Sequence, residues 1–276
     1  MNIFYKWGFY INNQLISIDA DLNVSFEYYK ELKELLKVYT PINKGITRIG
    51  NQDCEGGYIM VQDFNTPSVV YSFGIKDNLP LESDLANRGY EVFLYDNTIN
   101  EPANLSENMH FHREGLGDVY NPYGPLDTLK NYIYQNEHNI HNNMILKINL
   151  NGSEWDILNS VDSKTLEQFD QIIVEIHDLI KGCNDEKKQL ILNSLKHLQE
   201  THQLIHLHAN NSSRTIKIGN TTFSDIMEVT FAKKEKYETT LNKELSLPTI
   251  IDHPNDIGRA DLKLGKWNYP LTLEEE

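Results

Sequence analysis

An open α/β fold built on a doubly wound, Rossmann-like parallel sheet is what this sequence predicts, on three observations. From Val69 onward, apolar runs of strand length alternate with helical stretches, which implies parallel strands joined by right-handed crossovers. The runs at 69–75, 144–148 and 171–176 are apolar almost without a break, as in central strands covered on both faces. Each run also closes on a residue able to touch a ligand, at the carboxyl edge where ligands of such sheets bind.

The elements follow in chain order. Residues 1–45 form an N-terminal extension in which Ser25 to Lys37 reads as an amphipathic helix, with Phe26, Tyr29, Leu32 and Leu36 on one side and charges elsewhere. Arg48-Ile49-Gly50 leads into a glycine-initiated strand, Gly57 to Val61. The first core strand is 69–75, followed by a helix from about Leu81 that Gly89 stops. The second strand is 91–96 and the third 109–113, running into Glu114-Gly115-Leu116-Gly117. A helix begins near Pro125, the fourth strand is 144–150, and Gly152-Ser153-Glu154 opens another helix. The fifth strand is 171–177. A long helix from Asp185 to Thr201 and two closing strands, from Gln203 to His208 and from Ile226 to Phe231, complete a domain spanning 46–235. Residues 236–276 carry Pro248, Pro254 and Pro270 without periodicity, as in an extended tail packed on the domain.

The chain has 276 residues, 40 of them acidic and 25 basic, for a formal charge of -15. Such a surface repels phosphate backbones and anionic lipid, so neither nucleic acid nor membrane is the expected partner. Cys54 and Cys183 stand apart with no motif around them, which predicts a reducing compartment. The opening residues hold no apolar stretch of signal-peptide length, and nothing approaches the ~18 apolar residues of a membrane span. A cytoplasmic protein is expected, with a small-molecule substrate and the option of a homo-oligomer.

The strand ends carry the chemistry. Gly74 ends the first strand and Asp96 the second; an acid there accepts hydrogen bonds from ribose hydroxyls. A single glycine stands where dinucleotide-binding loops place three, which points to a nucleoside without phosphates. Gly115 and Leu116 follow the third strand and are placed to line an adenine. Asn149 and Asn151 end the fourth strand, Glu175 and His177 the fifth, and His208 the sixth. Residues i and i+2 share a face, so Asn149 pairs with Asn151, Glu175 with His177, and His206 with His208. The pairs His110/His112 and His206/His208 have the spacing of two metal ligands. A third ligand is missing, and amides are poor ones, so no metal is expected.

Several of these segments resemble a known family. Tyr71-Ser72-Phe73-Gly74-Ile75, the run from Leu146-Lys147-Ile148-Asn149 to Glu154-Trp155, Val174-Glu175-Ile176-His177, and His206-Leu207-His208-Ala209-Asn210-Asn211 resemble FkbM-type S-adenosylmethionine-dependent methyltransferases. Arg48-Ile49-Gly50 and Glu55-Gly56-Gly57-Tyr58 resemble the segment such proteins carry before the first core strand. The resemblance spans roughly residues 46 to 233, with Asn149, Asn151 and Glu55 where the family commonly has aspartate, an acid and aspartate respectively. It implies a seven-stranded methyltransferase sheet, bound S-adenosylmethionine, and O-methylation of a sugar, sugar nucleotide or similar small hydroxyl compound of surface-polysaccharide synthesis.

With that cofactor, Gly74 and Asp96 hold the nucleoside. Gly57, Ser72, Asn97, Gly115, Leu116 and Asn149 complete its side of the pocket. Arg48 either clamps the cofactor's carboxylate as a forked donor or makes a surface salt bridge. Tyr58 and Phe73 either wall the cofactor or fill core. His177, oriented by Glu175, is the first choice for the base that takes the acceptor's proton, against a purely structural strand-end cap; His208 is the second choice. Two rival functions remain open: a methyltransferase-like binding protein that has lost catalysis, and an NAD-dependent oxidoreductase, which the missing glycines disfavour.

Overall fold

Seven strands make the central sheet of the computed structural model, which describes residues 7–11, 14–18, 22–180 and 185–272. They are β1 (Val69–Phe73), β2 (Glu91–Tyr95), β3 (Met109–His112), β4 (Met144–Ile148), β5 (Phe169–Ile176), β6 (His202–Ala209) and β7 (Met227–Lys233). Their order across the sheet is β6-β7-β5-β4-β1-β2-β3. β1 therefore has β2 on one side and β4 on the other, and the strand order reverses between β1 and β4.

Every neighbouring pair is parallel except those of β7, which runs antiparallel to β5 and β6. The sheet is thus mixed where the alternation of elements predicts a parallel one. A parallel return needs a crossover of a dozen or more residues. Between β6 and β7 the chain instead forms a short hairpin, Thr215–Ile218 with Thr221–Ser224. That hairpin joins the strands Trp7–Ile11 and Gln14–Ile18 in a separate four-stranded sheet that the sequence pattern does not predict.

Alternation along the strands divides the core in two. Tyr71, Phe73, Leu146, Ile148, Ile172 and Val174 belong to one cluster with the helices Leu129–Gln135, Glu154–Ser160 and Asp185–Thr201. Val70, Val92, Leu94, Ile145 and Ile173 belong to a second cluster, with Leu81 and Leu85 of the helix Pro80–Asn87 and with Ile49, Tyr58 and Met60 of a hairpin made by Ile46–Gly50 and Gly57–Val61. The helix expected near Pro125 starts at Leu129, where the Thr128 side chain accepts from the Asn131 N–H; an N-terminal cap of this kind sets the first turn more strongly than the proline.

The N-terminal helix Leu22–Leu35 buries Tyr28, Tyr29 and Leu32, with Leu36 just beyond it. Its face is not wholly apolar: Lys33 is buried, donates to Thr221 and lies over the Trp267 ring, and burial lowers its pKa to about 8. The tail supplies that fully buried Trp267, whose indole N–H donates to the Leu36 carbonyl at 2.7 Å, together with Leu247, Leu264 and Leu271. Cys183 lies outside the described residues. Among the described residues no helix is long and apolar enough to cross a membrane.

Candidate functional site

Register places one continuous row of residues across the carboxyl edge of the sheet. Phe73 pairs with Tyr95 and with Ile148, so Gly74 stands between Asp96 and Asn149; the ladder continues through Gly74 N–H to Tyr95 and Asn149 N–H to Phe73, both 3.0 Å. Ile148 pairs with Val174, which puts Asn149 beside Glu175. Glu175 pairs with Glu228, and Glu228 with His208. The row reads Asp96, Gly74, Asn149, Glu175, Glu228, His208. It crosses the point where strand order reverses, the place where such sheets hold ligands. Alternation turns it toward the face covered by the 46–61 hairpin.

A small cleft of about 20 Å³, open to solvent, lies over the β1 and β4 ends, lined by Glu55, Gly56 and Tyr58 of the hairpin, by Gly74, Ile75, Lys76 and Asn78, and by Glu82, Lys147 and Asn149. Its floor is built from charge. Ser72 donates to Glu82 at 2.6 Å, and Lys147 donates to the Gly74 carbonyl at 3.1 Å while its ammonium stands 3.9 Å from Glu82. Asn149 is buried, yet its Oδ1 has no hydrogen-bond partner.

Backbone constraint shapes this end. Gly74 has φ +71°, and a Cβ there would lie 1.9 Å from the Asn149 carbonyl oxygen, so the closeness of two strands demands glycine before any ligand does. Lys76, Asn151 and Asp178 follow three of the strands with φ between 50° and 64°, conformations that concentrate at functional loops. Asn151 is exposed in this left-handed turn, so β4 ends at Ile148 and strand alternation does not carry Asn151 onto the face of Asn149.

Asp96 is buried and already accepts three hydrogen bonds, from Lys76 N–H at 3.0 Å and from Thr98 N–H and Oγ1 at 2.8 and 2.6 Å. Burial opposes its charge, but these donors hold its pKa below the usual carboxylate value. A carboxylate offers about four acceptor sites, so one remains. Gly115 and Leu116 are buried beside Leu126 and Asp127, with Leu116 in the core and Asn97 Oδ1 packed against Gly115. Phe73 is core, stacked on Tyr95 at 4.9 Å. Among the described residues Arg48 makes no surface ion pair: Nε and Nη2 donate to the carbonyls of Asn51 and Cys54 at 2.7 and 2.8 Å, and Nη1 is buried without a partner there. Gly57 gives that guanidinium room, since a Cβ would come within 2.7 Å of its nitrogens.

The β5–β7–β6 end is a network of buried ions. The His177 N–H donates to Glu154 Oε1 at 2.7 Å and its Nδ1 lies 3.1 Å from the same oxygen; its Nε2 is 3.7 Å from Glu175. Glu154, fully buried at a helix start, also accepts from Gly152 N–H at 2.8 Å. Burial pulls the His177 pKa down, but the Glu154 and Glu175 carboxylates outweigh it and leave it raised. Burial, with Glu228 adding to it, raises that of Glu175, which accepts from Asn210 at 3.1 Å.

His208 sits between Glu228 at 3.4 Å and Asp261 of the tail at 3.1 Å; burial opposes its charge, yet the two acids raise its pKa to about 10. It is an imidazolium at neutral pH and no proton acceptor in this cage. His206 Nε2 lies 3.0 Å from Asp252, a close electrostatic contact without hydrogen-bond alignment. The pair His110/His112 is elsewhere, at the β3 edge against Phe93. Among the described residues no group of three or more His, Cys, Asp or Glu side chains is arranged to hold a metal ion.

The site therefore gathers Gly74, Asp96, Asn149, Glu175, His177 and His208 along one edge with Tyr58 above them, and leaves Phe73 and Leu116 in the core. Lys147, Glu82, Glu154, Glu228, Asp252 and Asp261 were not among the residues expected from sequence. Lys147, two residues before Asn149, was within reach of the same alternation rule. Compared with models of known protein families the chain matches none, and no curated protein matches it.

Proposed function

We propose that this chain is an S-adenosylmethionine-dependent O-methyltransferase on a doubly wound, Rossmann-like sheet, acting on a small polar hydroxyl compound. One observation carries the reading: at the reversal of strand order between β1 and β4 a nucleoside-type edge, Gly74 beside Asp96, lies in register through Asn149 with the buried Glu175 of β5 and with His177 just beyond that strand's end. The residues present suit the cofactor. Asp96 keeps a free acceptor site beside Gly74, Asn149 Oδ1 is unpartnered and lines the same cleft as Gly74, and Arg48 Nη1 is unpartnered beneath the hairpin. When bound, S-adenosylmethionine supplies an electrophilic methyl group.

The chain's own residues supply position and proton transfer. A carboxylate only accepts, so Glu154 keeps the proton on His177 Nδ1 and leaves Nε2 to take the acceptor hydroxyl's proton. Glu175 steadies the imidazolium that results. Glu154 is a positioning residue, as the third member of a nucleophile–base–acid chain is. The raised pKa of His177 and the caged His208 favour the second reading, a binding protein without turnover.

Calorimetry with S-adenosylhomocysteine tests the cofactor site, and release of S-adenosylhomocysteine from S-adenosylmethionine in the presence of candidate acceptors separates enzyme from binding protein. Absence of binding by a folded protein overturns both.

A further inference from the structure

The tail leaves the core at Leu247 and returns to it at Leu264, and the two ends meet. Ser246–Leu247 pairs antiparallel with Gly265–Lys266, and the Leu264 N–H donates to the Leu247 carbonyl at 3.0 Å. Residues 248–263 between these ends hold no helix or strand, the form of an Ω-loop closed at its neck. The loop puts almost nothing into the core. Leu262 is partly buried against it, Ile250 and Ile257 are 98 % and 75 % exposed, and the one buried residue is Asp252.

Polar side chains otherwise hold the loop down, all of them at the carboxyl edge of β6 and β7. Asp252 lies 3.0 Å from His206, Asn255 donates to Glu228 at 2.7 Å, and Asp261 accepts from His208 at 3.1 Å. Just past β6, Asn211 donates to the Asp256 carbonyl at 2.9 Å and accepts from the Asp256 N–H at 2.8 Å. Among the described residues no main-chain hydrogen bond joins 248–263 to the body, and the turns at Thr249–Asp252 and Asp256–Arg259 close on themselves. The seam is also imperfect. His206 Nε2, Asp252 Oδ1 and Asn255 Oδ1 are buried there without a hydrogen-bond partner, three of the seven such side-chain atoms among the described residues. Each loses water on closure and gains no bond, so closure is opposed where it is made. A long irregular loop with a fixed neck and no deep apolar anchor is the kind of segment that opens locally.

We propose that residues 248–263 are a strap hinged at this neck, which lifts as a unit from the β6–β7 edge and uncovers Glu228, His206 and His208. With the strap shut these three are at most 6 % exposed. Lifting it hydrates the three unpaired atoms and opens the end of the row farthest from Gly74. That this opening serves the methyl acceptor is the one step that rests on the methyltransferase reading; the motion itself does not.

Relaxation dispersion on the nitrogen-15-labelled full chain reads motion on the microsecond-to-millisecond scale of lids. The amides of 249–262 and of Asn211 and Glu228 should share one exchange process, with Leu247, Leu264, Trp267 and β4 flat. Asn255→Ala removes a hydrogen bond to the Glu228 carboxylate and Asp261→Asn the charge opposite His208, so each should raise the open fraction about tenfold. Lys263→Ala, an exposed change on the same segment, should leave it unchanged. If Asp261→Asn does not fold, Asn255→Ala carries the test. Flat profiles across the strap in wild type and latch variants overturn the proposal. So does exchange that runs into the neck or β4, or an open fraction that the latch variants leave in place or that Lys263→Ala raises equally. The test uses no cofactor, so its failure leaves the methyltransferase reading to calorimetry, and failure of that reading leaves the strap standing.

Discussion

The two halves of the carboxyl-edge row are built on different principles. At the β1–β2 half, Gly74 and Asp96 are fixed by backbone: a positive φ, a carbonyl 1.9 Å from any added Cβ, and two main-chain N–H groups on one carboxylate. At the β5–β7–β6 half, Glu154, Glu175, His177, Glu228 and His208 are fixed by one another and by Asp261 from the tail. The first half presents preset acceptors whose charge state does not change near neutral pH. The second stores its geometry in ion pairs, so its shape and its protonation are coupled. Substitutions in the first half should therefore act on affinity alone, and those in the second on pH dependence and stability as well.

The largest effect is expected at His177. Replacement by Ala should lower turnover by ~10²–10⁴-fold, the range for a general base, with S-adenosylhomocysteine affinity nearly unchanged. The sign of the pH effect follows from the raised pKa: the proton-accepting form appears only as pH climbs through a value above the ordinary imidazole figure of ~6.5. Wild-type rate should rise with pH through that midpoint. Glu154→Gln removes a charge that raises it, so the midpoint should fall toward the ordinary value; a profile that stays in place would show Glu154 to be structural only.

Next in size is the cage of His208. Its folded pKa of about 10 lies above an unfolded value of ~6.5, so its stabilisation is complete below the unfolded value and is lost as pH rises through the folded one. His208→Ala leaves the buried Glu228 carboxylate and the half-buried Asp261 carboxylate facing each other across the gap. It should cost ~3–5 kcal/mol in urea unfolding at pH 6, the usual cost of breaking a buried pair, and distinctly less near pH 10. A pH-independent difference would mean that packing, and not the Glu228–Asp261 charges, holds this corner.

The same contrast explains what the sequence revealed. The β1–β2 half was legible because its signals are local: Val69 to Gly74 and Glu91 to Asp96 each carry strand pattern and candidate site residue within six positions. The long helix was legible for the same reason, matching Asp185–Thr201 at both ends. The ion network was only half legible. Alternation pairs Glu175 with His177 and His206 with His208, but it cannot find Asp252 or Asp261, which lie 46 and 53 residues beyond those histidines in an aperiodic tail. β7 was found as a strand and misjudged in direction, because direction depends on the hairpin before it and not on its own residues. Asn151 was misplaced by extending a strand two residues past its end, where a left-handed turn intervenes.

The smallest effect, and the sharpest test of the contrast, belongs to Asp96. Asp96→Ala should weaken S-adenosylhomocysteine binding by ~1–3 kcal/mol, the cost of removing a charged hydrogen-bond partner. It also frees the N–H groups of Lys76 and Thr98, so part of the loss will come from a loosened loop. Asp96→Asn separates the two: the amide oxygen still accepts from one loop N–H, while the charge is gone. If the β1–β2 half works by preset geometry, the Asn variant should recover much of the lost affinity. Neither variant should move the pH midpoint of turnover, because Asp96 is held ionised well below that range and stands on the far side of Gly74 and Asn149 from His177. Affinity unchanged in a folded Asp96→Ala protein would remove the nucleoside from this edge. A midpoint shifted by either variant would show instead that the two halves titrate as one network.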